Sequence, residues 1–385
     1  MKKYLFIGLG IVVFFVLIIG FWFVHILSGL PDVSSLKHYR PLLAAEVLDR
    51  DGQLLTNYYD RKFRIWVPIS RIPDTVIQAV VTAEDDTFFE HTGVNYKATW
   101  DALVHDVKKH RFARGGSTIT QQMIKNVLLS REKTINRKVR EYVLAVKAEE
   151  LLTKRQILEI YLNEVEWGEN IFGIESASRF YLDKHVAELS TAEAALLTGM
   201  LPNPHYFNPY KRMEKARDRQ ERILFNMQQA KILTAEEYAA AVVAPVTLRQ
   251  EGKGKLYIPS QGTENHRPCY EHALEQALFA VFGEYDLYRS GRTINTTLDR
   301  SLQAELGQEK GLPQPAVGAG IPEEVLAVMQ GGIIRAFVCG TDREQEVHEM
   351  LASHWFQYRG YEVNRISPQS ISREQIIQPG DDKVK

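Results

Sequence analysis

The chain opens on an apolar run, Tyr4 to Val24, that contains no charged residue and follows Lys2 and Lys3. It is just over the ~20 residues that a bilayer-spanning helix needs. A cleavable signal would have a shorter apolar core and a small-residue cleavage site; here the run is too long and no clear A-x-A site follows. Residues 1–30 are therefore expected to form a cytoplasmic tip and a transmembrane anchor, with the lysine pair inside and the rest of the chain outside. From 44 to 69 the pattern turns extended. Glu46 to Asp49 and Leu54 to Thr56 flank Asp51-Gly52, a hairpin turn pair, and Phe63 to Pro68 form a further extended stretch.

Pro73-Asp74 then opens a helix with Val76, Ile77, Val80 and Val81 at helical spacing. Helical periodicity continues to about residue 243. Arg137 to Leu152 puts Val139, Val143, Val146 and Glu150 on one stripe, and Lys154 to Asn163 carries Ile157, Leu158, Tyr161 and Leu162. Thr191 to Leu201, Lys211 to Ala230 and Thr234 to Val243 follow, the last led by Thr234 with Glu236 and Glu237 in a near capping box. The fold class read from this is mainly α with a small N-terminal β element. After Pro245 the composition changes. Glu251 to Pro268 reads as a linker, Glu271 to Phe282 as a helix, Thr293 to Thr297 and Gly331 to Val338 as strands, and Arg343 to Tyr358 as a helix. This is a small α/β C-terminal region, and the last twenty or so residues, being polar, are expected to fray.

Composition changes this picture little: 385 residues, 45% hydrophobic and 25% charged, suit two globular domains plus an anchor. A net charge of -1 gives no global field toward nucleic acid, so an anionic partner must meet a local basic cluster. Cys269 and Cys339 lie in no CxxC or Cys/His cluster, which argues against zinc; outside the cytoplasm a disulfide or two thiols remain open.

Four stretches could carry chemistry. Glu84, Asp85, Asp86, Phe88, Phe89, Glu90 and His91 crowd the end of an apolar helix. The bland reading is an acidic helix end; the chemical one is a carboxylate desolvated by aromatic rings and thereby a better base. Gly115 and Gly116 precede Ser117, Thr118, Thr120, Gln121 and Gln122: a loop-to-helix junction, or backbone and uncharged donors arranged for sugar or phosphate oxygens. Arg137 and Glu141 stand one turn apart, as a surface ion pair or as a carboxylate held among Lys125, Lys133, Arg137, Lys138 and Arg140 beside a pyrophosphate. Glu159 and Asn163 share a helix face opposite the apolar one, as structural hydrogen-bonders or as residues that shape a site.

In order and spacing, EDDTFFEHTG, GGSTITQQ, RKVRE, KRQILEIYLN and GIESASRFYLDK closely resemble the five motifs of family 51 glycosyltransferases, the peptidoglycan polymerase domains of class A penicillin-binding proteins and monofunctional transglycosylases. The resemblance covers about 44–243 and implies a mainly α, lysozyme-like domain there. It implies Glu84 as general base and Glu141 as second catalytic carboxylate, with Asp85, Phe88, His91, Gly115 to Thr118, Thr120 to Gln122, Lys125, Lys133, Arg137, Lys138, Glu159 and Asn163 around the substrate. Lys133 stands where some members have Arg, and Tyr181 to Lys184 depart from Tyr-Phe-Gly-Lys. A hydrophobic jaw would span roughly 94–114, with Trp100, Leu103, Val104, Val107 and Phe112 among Lys108, Lys109 and Arg111; a basic amphipathic surface helix is the bland alternative. The implied reaction joins lipid II to a growing glycan strand at the outer face of the membrane, with inversion and loss of undecaprenyl pyrophosphate. The sequence requires no cofactor; Mg2+ or another divalent cation enters only through the resemblance. Implied partners are lipid II, the glycan strand, the membrane and other cell-wall synthesis proteins, and no nucleic acid. The other readings are a lysozyme-like glycan-cleaving enzyme and a non-catalytic scaffold.

Residues 250–310 resemble the linker that opens a penicillin-binding transpeptidase domain, through Arg292 to Asp299 and Gln303. Residues 311–385 read as a degenerate remnant or a small partner-binding module. S-x-x-K occurs only at Ser34 to Lys37 and Ser130 to Lys133, and K-T-G nowhere, so no transpeptidase activity is expected.

Overall fold

The computed structural model describes residues 2–97, 99–100, 116–130, 132, 134–249, 269–308, 325–338 and 361–378. It divides into two compact units. The expected linker at 251–268, the helix at 343–358, Cys339 and most of the expected jaw (Leu103, Val104, Val107, Lys108, Lys109, Arg111 and Phe112) lie outside the described residues, as do the site candidates Gly115 and Lys133. Trp100, at the jaw's start, is 65% exposed.

The first unit (residues 1–40, 67–169 and 173–248) is mainly helical. Its helices are α1 (Lys2–Ser28), α2 (Asp74–Glu84), α3 (Ile119–Val127), α4 (Ile135–Leu151), α5 (Lys154–Glu164), α6 (Ile174–Leu182), α7 (Thr191–Met200), α8 (Pro209–Gln229) and α9 (Ala235–Val243). Among the described residues α1 alone is long and apolar enough to cross a membrane, and its side chains from Gly10 to Val24 are exposed. At its end Ile26 is buried, and a 3-10 turn, Val33–His38, packs on α4 through buried Val33 and Leu36.

Local chemistry explains where several helices start. Thr118, Thr153, Ser190 and Thr234 each cap α3, α5, α7 and α9, with Gln121, Gln156, Glu193 and Glu237 returning the bond to the cap's own N–H. The expected stripe on α4 is displaced. Glu141, Leu144, Ala145 and Ala148 are the buried set, while Val139, Val143 and Val146 are half-buried and Glu150 is exposed. The helix packs by its small face because a loop presses on it there. A Cβ on Gly93 would stand 2.6 Å from the carbonyl oxygen of Ala145. On α5, Asn163 is fully buried, so the face it shares with Glu159 is covered by the segment at Val67 and Ile69 and not solvent-exposed.

The second unit takes in residues 41–66, 170–172 and 249–385. Strands β1 (Ala45–Leu48) and β2 (Leu54–Tyr58) form the expected antiparallel hairpin across Asp51-Gly52. They group with the second unit and not with the helical one, however. β1 pairs in parallel with β6 (Thr293–Asn295), Val47 opposite Ile294, so the expected 44–243 domain loses its β element to the C-terminal unit. The short strands β3 (Phe63–Arg64) and β5 (Ile171–Phe172) pair in parallel; β4 (Glu166–Gly168) belongs to the first unit. Helices α10 (Cys269–Tyr288) and α11 (Arg300–Gln308) accompany an antiparallel sheet of β7 (Val325–Gln330), β8 (Ile333–Val338) and β9 (Tyr361–Ile366), in the order β8-β7-β9. Gly331 and Gly332, both at positive φ, make the β7–β8 turn, so the predicted strand starts at Ile333. The tail is not frayed as far as residue 378. Helix α12 (Arg373–Ile376) follows Ile371, and Ile371, Ile376 and Ile377 are buried with Leu274, Leu278 and Ile334. Three isoleucines among polar neighbours are enough to dock it.

Gly93→Ala is expected to destabilise the protein by about 2–4 kcal/mol, from a strained φ plus a clash with backbone. Gly52→Ala, also at positive φ but with open space around it, should cost about 1 kcal/mol. Denaturant unfolding of both variants in detergent makes the comparison.

Candidate active site

The site is built where α2 ends. Glu84 is the helix's last residue, and Asp85 turns back into the protein. The Asp85 carboxylate accepts a hydrogen bond from the backbone N–H of Ile119 at 2.9 Å and faces His91 Nε2 at 3.0 Å. The Ile119 N–H belongs to the first turn of α3, where no intrahelical acceptor exists and negative charge is favoured. Asp85 thereby fixes the start of α3 against the end of α2. Gln122, one turn into α3, then donates from Nε2 to Glu84 Oε2 at 2.9 Å. The Gln122 side-chain oxygen in turn faces the hydroxyl of buried Tyr161 on α5 at 3.4 Å.

The second carboxylate is Glu141 on α4, 2% exposed. Lys138 Nζ lies 2.8 Å from its Oε2 and Arg137 Nη1 3.3 Å from its Oε1. Lys138 also donates to Ser117 Oγ at 2.7 Å, which ties the loop before α3 to α4. Lys125 on α3 feels both carboxylates, Glu141 more than Glu84. A buried carboxylate with three cations about it is no surface ion pair, and its surroundings suit phosphate oxygens.

Other predicted residues hold this frame rather than face an open site. Thr118 and Gln121 are buried as the α3 capping box, and Thr118 Oγ1 also donates to the carbonyl of Gly93 at 2.7 Å. Thr120 is buried and donates to Glu149 Oε1 at 2.6 Å. Phe88 is fully buried, edge-on to His91 with ring centroids 6.1 Å apart. Asn163 binds both the N–H and the carbonyl of Val67, and Glu159 accepts from the N–H of Ile69 at 2.8 Å, so both secure the segment that leads into α2. Gly116 is half-buried in the loop beside Ser117. In this structure Asp85, His91, Thr118, Thr120, Glu159 and Asn163 hold protein partners and Phe88 is buried, which suits positioning; Gln121 is buried too, but its Nε2 has no partner among the described residues.

Sequence reasoning missed three contributors. Lys154 Nζ donates to the carbonyl of His91 at 2.6 Å, meets Glu149 at 2.8 Å and lies 4.3 Å over the Phe88 ring. With Glu149 it clamps the His91 loop, α3, α4 and α5 together. Arg219 on α8 acts electrostatically on Glu84. For Arg219 and Glu149 the available signal was a charged residue falling on the buried stripe of an otherwise amphipathic helix.

The electrostatics separate the groups. Burial pushes Glu84 above the ordinary glutamate range and Asp85 adds to this, while the Gln122 hydrogen bond, Arg219 and Lys125 oppose it. Asp85 is likewise raised by burial, against the Ile119 N–H and His91. Burial lowers Lys125, with Arg137 and Lys138 pressing the same way and the two glutamates resisting. One carboxylate is thus raised by burial, as a general base would need, and the other lies in a cationic pocket. The donor set does not fit a protein-held divalent ion. No group of three or more His, Cys, Asp or Glu among the described residues could hold one, and side-chain cations already surround Glu141.

Residues 51–228 match the model of the family described as Transglycosylase, the domain whose motifs the sequence resembles. Its relatives are more particular: penicillin-binding protein 1A of Aquifex aeolicus is 35% identical over 326 residues, covering 84% of this chain and 43% of that protein. Penicillin-binding protein 1A of Vibrio cholerae is 32% identical over 76% of this chain and 34% of its own length, and that of Neisseria lactamica 34% identical over 75% and 35%. The chain thus spans less than half the length of these relatives. Among solved structures, penicillin-binding protein 1A from Haemophilus influenzae aligns with 70% of this chain and 29% of its own, at 20% identity and a TM-score of 0.37, too slight a likeness to bear on the fold.

A raised carboxylate pKa means that ionisation disfavours the folded state. The stability contributed by protonated Glu84 is present below its unfolded pKa and lost as pH rises through the higher folded value. Glu84→Gln should therefore be more stable than the native protein at pH 7, by about 0.5–2 kcal/mol. The gain should shrink as pH falls through the titration of Glu84, and thermal unfolding across pH 4–8 measures it.

Proposed function

We propose that this chain polymerises lipid II into β-1,4-linked glycan strands of peptidoglycan. The observation that carries this reading is the asymmetry of the two carboxylates. Glu84 is half-buried and raised toward neutral pH, and Glu141 lies among Arg137, Lys138 and Lys125. A reaction that removes a proton at one end and releases a pyrophosphate at the other needs this division.

The growing strand, α-linked to undecaprenyl pyrophosphate, is the donor, and lipid II presents its GlcNAc 4-hydroxyl as acceptor. Glu84 takes the hydroxyl proton while that oxygen attacks the donor's anomeric carbon. The bond from that carbon to the pyrophosphate oxygen breaks on the opposite face, and the electron pair departs with the pyrophosphate. Attack from one face and departure from the other invert α to β, with no covalent intermediate. Arg137, Lys138 and Lys125 neutralise the departing charge, and Glu141 keeps these cations together. Gln122 orients Glu84 through its Oε2, which leaves Oε1 for the proton.

Helix α1 anchors the chain, with Lys2 and Lys3 holding the N-terminus in the cytoplasm and the helical unit on the extracytoplasmic side, where lipid-linked substrate is reached. Other proteins of cell-wall synthesis are its expected partners.

Purified full chain in detergent, given labelled lipid II, is expected to make long strands. Glu84→Gln and Glu141→Gln should each lose roughly 10²–10⁴-fold in rate. Polymer at the native rate from Glu84→Gln would sink the assignment of the base. Shortened glycan with lipid II left intact would replace polymerisation by cleavage, and no polymer from the native chain would leave only a scaffold.

A further inference from the structure

The outer end of α1 is seated on α4, the helix that carries Glu141. Ile26 is buried there, and the 3-10 turn Val33–His38 packs on α4 through Val33 and Leu36. Between these two contacts Gly29 faces Arg140. A Cβ at Gly29 would stand 3.2 Å from Arg140 Nη2, so the guanidinium lies against bare backbone where α1 ends. Arg140 follows Arg137 and Lys138 in the chain but serves another side of the helix. Those two contact Glu141, and Arg140 falls about 160° around the helix from Lys138. It makes no ion pair or hydrogen bond among the described residues, and its Nε is buried without a partner. The plain reading is a cation drawn to the negative C-terminal end of α1. That accounts for the charge, but not for a fork of donors that takes none of the last-turn carbonyls.

Depth supplies the missing acceptor. The uncharged run Tyr4 to Val24 is about 30 Å long as a helix, which matches the hydrocarbon thickness of a bilayer. Side chains from Gly10 to Val24 are exposed, and Trp22 stands near the end of the run, at the level of the interface. Gly29 is about 7 Å further along the axis, and the headgroup layer on each side is about 5–7 Å deep. The guanidinium is thereby at the height of the lipid phosphates. The segment that follows adds exposed charge at the same edge, in Lys37 and Arg40. Its one carboxylate, Asp32, accepts from the N–H of Ser34 at 2.9 Å.

We propose that Arg140, held at Gly29, binds the phosphate of an anionic phospholipid headgroup and so seats the Glu141 helix on the bilayer surface. A planar guanidinium can offer two parallel N–H groups to phosphate oxygens, while Lys37 and Arg40 add looser attraction. The proposal rests on the reading of α1 as a membrane anchor.

The test uses the full chain in micelles of a non-ionic detergent and reads the thermal unfolding midpoint as short-chain phosphatidylglycerol, phosphatidylcholine or inorganic phosphate is added. Phosphatidylglycerol should raise the midpoint of the native protein well above the effect of the other two. Arg140→Gln should need about fivefold more phosphatidylglycerol for the same rise. Gly29→Leu keeps every charge but displaces the guanidinium, and it should be weakened in the same way. A native response from either variant would overturn the proposal, and so would inorganic phosphate or phosphatidylcholine matching phosphatidylglycerol. Should one variant fail to fold, the other decides alone. The anchor reading fails separately, if the full chain stays soluble without detergent and does not float with phosphatidylcholine vesicles. A chain that floats, with Arg140→Gln responding as the native protein does, removes only the headgroup site.

Discussion

The carboxylate of Asp85 is the contact on which the catalytic unit turns. It accepts from the first-turn N–H of α3 and from His91, and does so where α2 has just ended. One side chain thus satisfies an orphan donor of one helix while fixing the exit of another. The surroundings of Glu84 follow from that join. Gln122 and Lys125 reach Glu84 only because α3 starts where Asp85 holds it. The His91 loop is then fastened from below by Lys154, whose ammonium also meets Glu149 and the Phe88 ring. The charge on Asp85 is expensive to bury, and burial does raise its pKa. Three polar contacts offset that cost, as a buried charge requires.

The same economy separates the two glutamates. Both are carboxylates near the same lysine, but Glu84 is left with one amide donor and more distant cations, whereas Glu141 has Lys138 and Arg137 in direct contact. The first is therefore pushed toward protonation and suited to take a proton. The second is balanced by neighbours whose charge also suits a phosphate group. Lys125 stands between them and is itself depressed by burial and by the other cations. Such a cluster stores unfavourable electrostatics that a bound anion would relieve.

Much of this was legible in the residues. Periodicity marks α2, α5 and α7 closely, and the threonine-with-Glu/Gln spacing marks helix starts because a capping box is local chemistry. Glu84 and Glu141 could be picked out by motif order. The failures have physical causes. On α4 the valines were read as the core face, but a helix pressed by backbone at Gly93 buries its small residues, and Ala145 and Ala148 won. Thr118 and Thr120 read as ligand-binding donors because sequence shows a polar group and not what already satisfies it. Arg219 and Lys154 were missed because Glu84, and His91 with Phe88, lie far from them along the chain. Arg219 sits on a buried helix stripe, where a charge needs a reason.

The hairpin β1–β2 illustrates a deeper limit. Its turn and alternation are local and were read correctly, but its domain was not, because β1 finds its second neighbour some 250 residues away at β6. In chain order the catalytic helices are inserted between the two halves of the second unit. That sheet closes only when residues near 46 and 293 meet, so its loop-closure cost is best met after the intervening helices have condensed. The helical unit depends on such closure less, since α3 meets α4 and α5 over a few tens of residues and α2 meets α7 and α8 over roughly 115–140. The order this implies, catalytic unit first and β unit second, makes the strand pairing of Glu46 with Thr293 the late step that commits residues 41–66 to the C-terminal unit.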